Sequence, residues 1–170
     1  LPEIDNGKLP FQDKISKEQE VILLYNKAYS YFGVGDYKKA LSFLNEVLND
    51  NEQNLRQDIY SFSRLLNLVL HYELENYDFL EYVIKSTNRY LSKYKRDYKI
   101  EDVMIKYIRK LSKVSSPAAT LEIFEAMNEE VEVLMQDHQE RVVLEFFNVQ
   151  AWIQSKLNKT SFSESVKKLL

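Results

Sequence analysis

Between positions 64 and 75 the chain carries Arg64, Asn67, His71 and Glu75 at three- and four-residue intervals. On a helix that spacing puts the four side chains on one face. A guanidinium in such a line can grip a carboxylate through two parallel N–H donors, which makes Arg64, Asn67 and His71 candidate ligand-binding residues in a groove. The same line also reads as a set of inter-helix hydrogen bonds or as a solvated face, which helical polar stripes commonly are.

Other chemistry is poorly served. The chain has no cysteine, so disulfides, thiolate metal sites and cysteine nucleophiles are excluded. His71 and His138 are the only histidines, and neither lies in an HExxH or Glu-x-x-His arrangement. Three isolated glycines cannot form a phosphate-cradling loop. Glu73, Glu75 and Asp58 are conceivable general acids, but no nucleophile and base pair can be recognised from spacing. No metal, no cofactor and no enzymatic activity are expected.

Charge is unevenly spread. Residues 85–113 hold ten basic and three acidic side chains, and residues 122–145 hold eight acidic and one basic, although the whole chain carries only -3. Tyr90, Tyr94 and Tyr98 interleave with Lys93, Lys95, Arg96 and Lys99, which makes those four cations possible anion contacts and the segment a candidate single-strand nucleic-acid grip. No nucleic-acid motif accompanies them. The preferred reading pairs the two blocks, either between the fifth and sixth helices of one molecule or between two copies, so nucleic-acid binding is not expected and self-association is one alternative.

These residues need helices to position them. With 45% apolar residues in 170, the chain can close one sizeable core, and with three glycines and three prolines it offers little punctuation. The run from Leu65 to Leu70, interrupted by Asn67, is far short of the roughly 20 residues that span a bilayer. Ser16 with Gln19 makes a capping box for a first helix ending near Gly33 to Gly35. Asp36 caps a second, which stops at Asn49 to Asn51. A third, from about Leu55 to Glu75, is apolar on more than one face, and Asn76 caps a fourth whose stripe includes Phe79, Leu80, Val83, Ile84, Thr87, Tyr90 and Leu91.

A fifth helix runs from about Ile100 to Lys113. Ser116 caps a sixth, with Pro117 in its first turn and Leu121, Phe124, Met127, Val131 and Leu134 on its buried side. Asp137 with Glu140 opens a seventh that continues through Phe146 and Phe147 to Leu157. Ser161 and Glu164 cap a short eighth, with Val166, Leu169 and Leu170 on its packed side. No stretch alternates with period two, so no sheet is expected.

The stretch from Asn26 to Asn49, NKAYSYFGVGDYKKALSFLNEVLN, resembles the tetratricopeptide repeat. Ala28 stands at the small position of its first helix and Tyr31 at the aromatic one. Gly35, Asp36 and Tyr37 form the turn, and Ala40, Leu44 and Val47 the second-helix contacts. Glu75, Asn76 and Tyr77 repeat the turn, followed by Leu80 and Ile84. Tyr37 and Tyr77 lie forty residues apart where the family's period is about 34, and Leu68 and Leu80 replace the small residues. The resemblance covers about half the chain.

What the resemblance implies is an all-α, right-handed α-solenoid of antiparallel helix pairs, seven to eight helices in all, whose concave face binds a peptide or protein segment. It would place Tyr25, Tyr29 and Phe32 toward that groove, although core packing or contact with a preceding repeat serves aromatic side chains equally well. The family's carboxylate-clamp pattern of Lys, Asn and Arg is not matched there.

Residues 1–15 read as a linker remnant and residues 16–170 as the repeat domain, the C-terminal part of a longer chain whose eighth helix covers the end. The expectation is a non-enzymatic scaffold with a protein or peptide partner, no membrane span and, from the lack of cysteine, a cytoplasmic location.

Overall fold

The computed structural model describes residues 15–95 and 97–170. The linker expected before Ser16, Ile15 apart, lies outside them, as does Arg96. Of the described residues 76% are helical, and no strand occurs among them. Among the described residues eight α-helices follow in order: α1 (Lys17–Gly33), α2 (Tyr37–Leu48), α3 (Gln57–Glu73), α4 (Tyr77–Lys93), α5 (Lys99–Leu111), α6 (Pro117–Leu134), α7 (Val149–Asn158) and α8 (Phe162–Leu169). A 3-10 helix (Glu140–Glu145) sits between α6 and α7.

Four of the eight helices start at a side-chain cap legible in the sequence. Ser16 and Gln19 form the complete capping box of α1, and Ser161 and Glu164 that of α8. Asp36 accepts the Lys39 amide, and Ser116 caps α6 with Pro117 at its first position. Each such cap satisfies an orphan donor and contributes about 1 kcal/mol.

Two turns forty residues apart are built alike. The amides of Gly35 and Asp36 donate to the Phe32 and Tyr31 carbonyls, and those of Glu75 and Asn76 to the Tyr72 and His71 carbonyls, at 3.0 and 2.9 Å in each turn. Both turns need a left-handed residue, supplied by Gly35 at φ 81° and by Glu75 at φ 57°. Because α3 ends at Glu73, Glu75 belongs to the turn and not to the helical line that was expected to include it.

Helix α3 forms the centre. It packs on α1, α2, α4 and α5, and its buried residues run around it from Ile59 through Phe62, Leu65, Leu66, Leu68, Val69 and Leu70, as expected of a helix apolar on several faces. Successive helices then pack on their neighbours: α5 on α6, α6 on α7 and α7 on α8. Ala28 and Ala40 are fully buried, and so are Leu68 and Leu80.

The expected seventh helix is broken. Glu140 does not cap its own segment; its two carboxylate oxygens accept the Lys99 and Ile100 amides at 2.9 Å each, at the start of α5. Tyr98 gives that helix no side-chain cap, so the acid is drawn forty residues back to the positive end of α5. Phe146 and Phe147 then fill different sites, Phe146 stacked 4.4 Å from Phe62 and Phe147 edge-on at 5.6 Å from Phe32. Asn148 restarts the helix by accepting the Ala151 amide.

Three apolar stripes also differ. Phe79 is exposed because α4 buries its neighbour Leu80 instead, and Leu121 is exposed because the buried side of α6 begins at Phe124. In α8 the packing is made by Phe162, Ser165 and half-buried Val166, while Leu169 and Leu170 project outward.

Candidate functional site: the polar and aromatic seam of α3 and α4

Arg64, Asn67 and His71 do share one side of α3, and the structure brings Arg64 and His71 against α4. The Arg64 guanidinium lies 4.3 Å over the Tyr90 ring and its Nη1 donates to Ser86 Oγ at 3.4 Å. Its Nε is sealed from solvent without a hydrogen-bond partner. No carboxylate reaches Arg64 among the described residues, and burial alone pulls its pKa down, with Tyr90 and Tyr94 opposing. The group stays charged, since guanidinium does not deprotonate in proteins.

Asn67 is half-buried with Oδ1 sealed and unpartnered. His71 is buried, and desolvation holds its pKa below the usual value. The Asn76 amide nitrogen donates to His71 Nδ1 at 3.2 Å, so this asparagine serves the imidazole and gives α4 no side-chain cap.

On α4, Phe79, Tyr82, Ser86 and Tyr90 follow one another at three- and four-residue steps along the same seam. Phe79 is 49% and Tyr82 62% exposed, with their ring centroids 5.2 Å apart. Phe79 also meets the His71 ring at 5.1 Å. The seam thus runs from a projecting aromatic pair, past a neutral imidazole, to a recessed cation. Spacing within α3 revealed only half of this; the α4 half was hidden because Phe79 read as core.

The aromatic residues of α1 lie elsewhere. Tyr25 and Phe32 are buried, and Tyr29 is half-buried. Tyr25 donates its hydroxyl to the Phe146 carbonyl at 2.8 Å, and the Tyr29 hydroxyl accepts the Asn148 amide at 3.2 Å. Phe32 contacts Phe147 and Phe162 at 5.6 and 5.0 Å. The returning C-terminal segment therefore occupies the surface of all three. Burial raises the Tyr25 pKa strongly, as expected of a hydroxyl removed from water. No sequence signal marked this contact, because adjacent apolar residues such as Phe146 and Phe147 can share one helix stripe, as Val83 and Ile84 do on α4.

The two charge blocks meet at α5 and α6. Lys106 pairs with Glu130, and Tyr107 donates to the same carboxylate at 2.8 Å. Arg109 lies 3.8 Å from Glu81 of α4. Lys93, Lys95 and Lys99 are exposed, with the Lys93 ammonium 5.1 Å over the Tyr94 ring. Of the interleaved tyrosines, Tyr90 is buried beneath Arg64, and Tyr94 donates to Asn54 Oδ1 at 3.1 Å. An open depression of about 400 Å³ between α4 and α5 is lined by Asn88, Asp102, Ile105 and the cations Lys106, Arg109, Lys110 and Lys113. Among the described residues no group of three or more His, Asp or Glu side chains is placed to hold a metal ion, and no helix is long and apolar enough to cross a membrane.

Comparison of the chain with protein-family models, curated proteins and solved structures gives no match in any of the three.

Proposed function

We propose that this chain is a non-enzymatic interaction module that binds a peptide or protein segment on a helical face, and that the face is the seam of α3 and α4. The observation that carries this reading is the exposed Phe79–Tyr82 pair on the same seam as a guanidinium that has no carboxylate partner among the described residues. Exposed aromatic and arginine side chains supply most of the energy at protein interfaces, where they act as anchors. The tetratricopeptide-like solenoid of antiparallel helix pairs belongs to the same proposal. Its support is the identical hydrogen bonding of the Gly35 and Glu75 turns.

The test is an affinity pull-down with the intact chain, followed by mass spectrometry, set against the F79S/Y82S double variant. The expected result is a reproducible protein partner that the variant loses while its circular dichroism is unchanged. Failure to retain any protein, with turnover in a metabolite screen, sinks the reading in favour of an enzyme. The nucleic-acid alternative rests on exposed Lys93, Lys95 and Lys99. It predicts tight, salt-sensitive anisotropy with single-stranded RNA near 150 mM salt, lost when Lys93, Lys95, Arg96 and Lys99 are neutralised.

A further inference from the structure

We infer that Arg64 and the Phe79–Tyr82 pair form a two-part site for an extended peptide segment whose aspartate or glutamate side chain lies two or three residues from an apolar one. This rests on the reading of the chain as an interaction module and specifies what that module recognises. The charge argument comes first. Arg64 is a half-buried cation whose neighbours among the described residues are neutral: the Tyr90 ring, the Ser86 hydroxyl and, on the electrostatic side, Tyr94. A desolvated guanidinium without a counter-charge is costly unless something supplies one.

The fork is already positioned. Tyr90 stacks on its face and Ser86 takes Nη1, so little side-chain freedom remains to be lost when a carboxylate binds. Nε is sealed inside the seam, whereas Nη2 is neither sealed nor, among the described residues, partnered, which leaves the outer Nη1–Nη2 edge as the approach for an anion. A single cation matches a singly charged carboxylate better than a dianionic phosphate.

The aromatic pair sets the spacing. Tyr82 and Phe79 lie four and seven residues before Ser86 on one face of α4. At 1.5 Å per residue they stand about 6 and 10 Å along the helix from the guanidinium end. An extended segment, at about 3.3 Å per residue, covers those distances in two and three residues. The rings project and the guanidinium is recessed, so one acidic side chain must reach inward while its apolar neighbour lies on Phe79 and Tyr82.

The experiment uses the full chain as bait for a displayed library of random linear peptides, followed by fluorescence anisotropy of the selected sequences as synthetic, C-terminally amidated peptides. Selected sequences are expected to share Asp or Glu two or three residues from Leu, Phe or Trp. Changing that acid to its amide, and Arg64→Gln in the protein, should each weaken binding by on the order of ten-fold or more, and together by little more than either alone. R64K, which keeps the charge but not the fork, should recover part of the loss. The peptide change needs no protein variant, so the test stands even if R64Q folds poorly.

Selected peptides without an acid, or acidic peptides that bind R64Q as tightly, overturn the site but leave the module reading intact. No selected peptide at all overturns both. A dimer in sedimentation that Arg64→Gln dissociates assigns the face to a second copy and overturns the peptide assignment, as does displacement of the peptide by single-stranded RNA.

Discussion

The indole Nε1 of Trp152 donates to the Glu73 carboxylate at 2.7 Å, tying α7 to the C-terminal end of the central helix. Lys156 Nζ lies 2.5 Å from the same carboxylate, so one buried acid holds two donors from a helix 79 and 83 residues further along the chain. Glu73→Ala would leave the buried indole N–H and a half-buried ammonium without their acceptor. A loss of about 2–4 kcal/mol is expected. Glu73→Gln keeps one carbonyl for the indole and should lose less. Urea unfolding followed through Trp152, the only tryptophan, measures both. An E73A loss under about 0.5 kcal/mol, the range of ordinary surface substitutions, would show that the linkage carries no stability.

Glu140 acts as a cap for a helix it does not belong to, accepting two amides at the start of α5. Glu140→Ala should cost about 1–3 kcal/mol, because a buried, charge-assisted pair of hydrogen bonds is lost and two amides are left bare. Amide hydrogen exchange gives the specific signature, with protection falling first at Lys99 and Ile100. Equal loss across the whole chain would assign Glu140 a merely global role.

The paired turns predict opposite responses to glycine. Glu75 holds a left-handed φ of 57° with a side chain, so Glu75→Gly should raise stability by roughly 1 kcal/mol. Gly35→Ala should lower it by about the same amount: the φ of 81° strains any Cβ, although nothing lies within 4 Å to clash with one. Thermal unfolding of the two single variants is the measurement. A destabilised E75G would mean that the side chain makes a contact worth more than the strain.

His71 makes stability depend on pH. Its folded pKa is held below 6.5 by desolvation, so the unfolded chain binds the proton first as pH falls. More protons on the unfolded state means that stability rises with pH, is complete above about 6.5 and declines below it until the folded pKa is passed, at no more than about 1.4 kcal/mol per pH unit. His71→Gln should flatten that decline just below pH 6.5. Chemical denaturation across that window reads the slope directly, and an unchanged slope would place its origin elsewhere.

The half of the candidate site on α3 was legible because Arg64, Asn67 and His71 stand at helical intervals within eight residues. The half on α4 was not. Phe79 sits one residue before fully buried Leu80, and periodicity alone does not say which of two adjacent apolar residues the neighbouring helix covers. For the same reason Tyr25, Tyr29 and Phe32 could be read as groove or as core until Phe146, Phe147 and Phe162 were found against them.

By itself the sequence determined where half of the eight described α-helices begin. Ser16 with Gln19, Asp36, Ser116 with Pro117, and Ser161 with Glu164 act through hydrogen bonds or fixed backbone angles that span no more than three residues, so neighbours in sequence suffice. Only the tertiary structure decided that Glu140 leaves its own segment for α5, that Glu73 receives Trp152 and Lys156, and that Arg64 meets a ring and a hydroxyl but, among the described residues, no acid. Those outcomes depend on which distant side chains the packed helices carry to one place, and a polar group removed from water takes whatever partner that packing supplies.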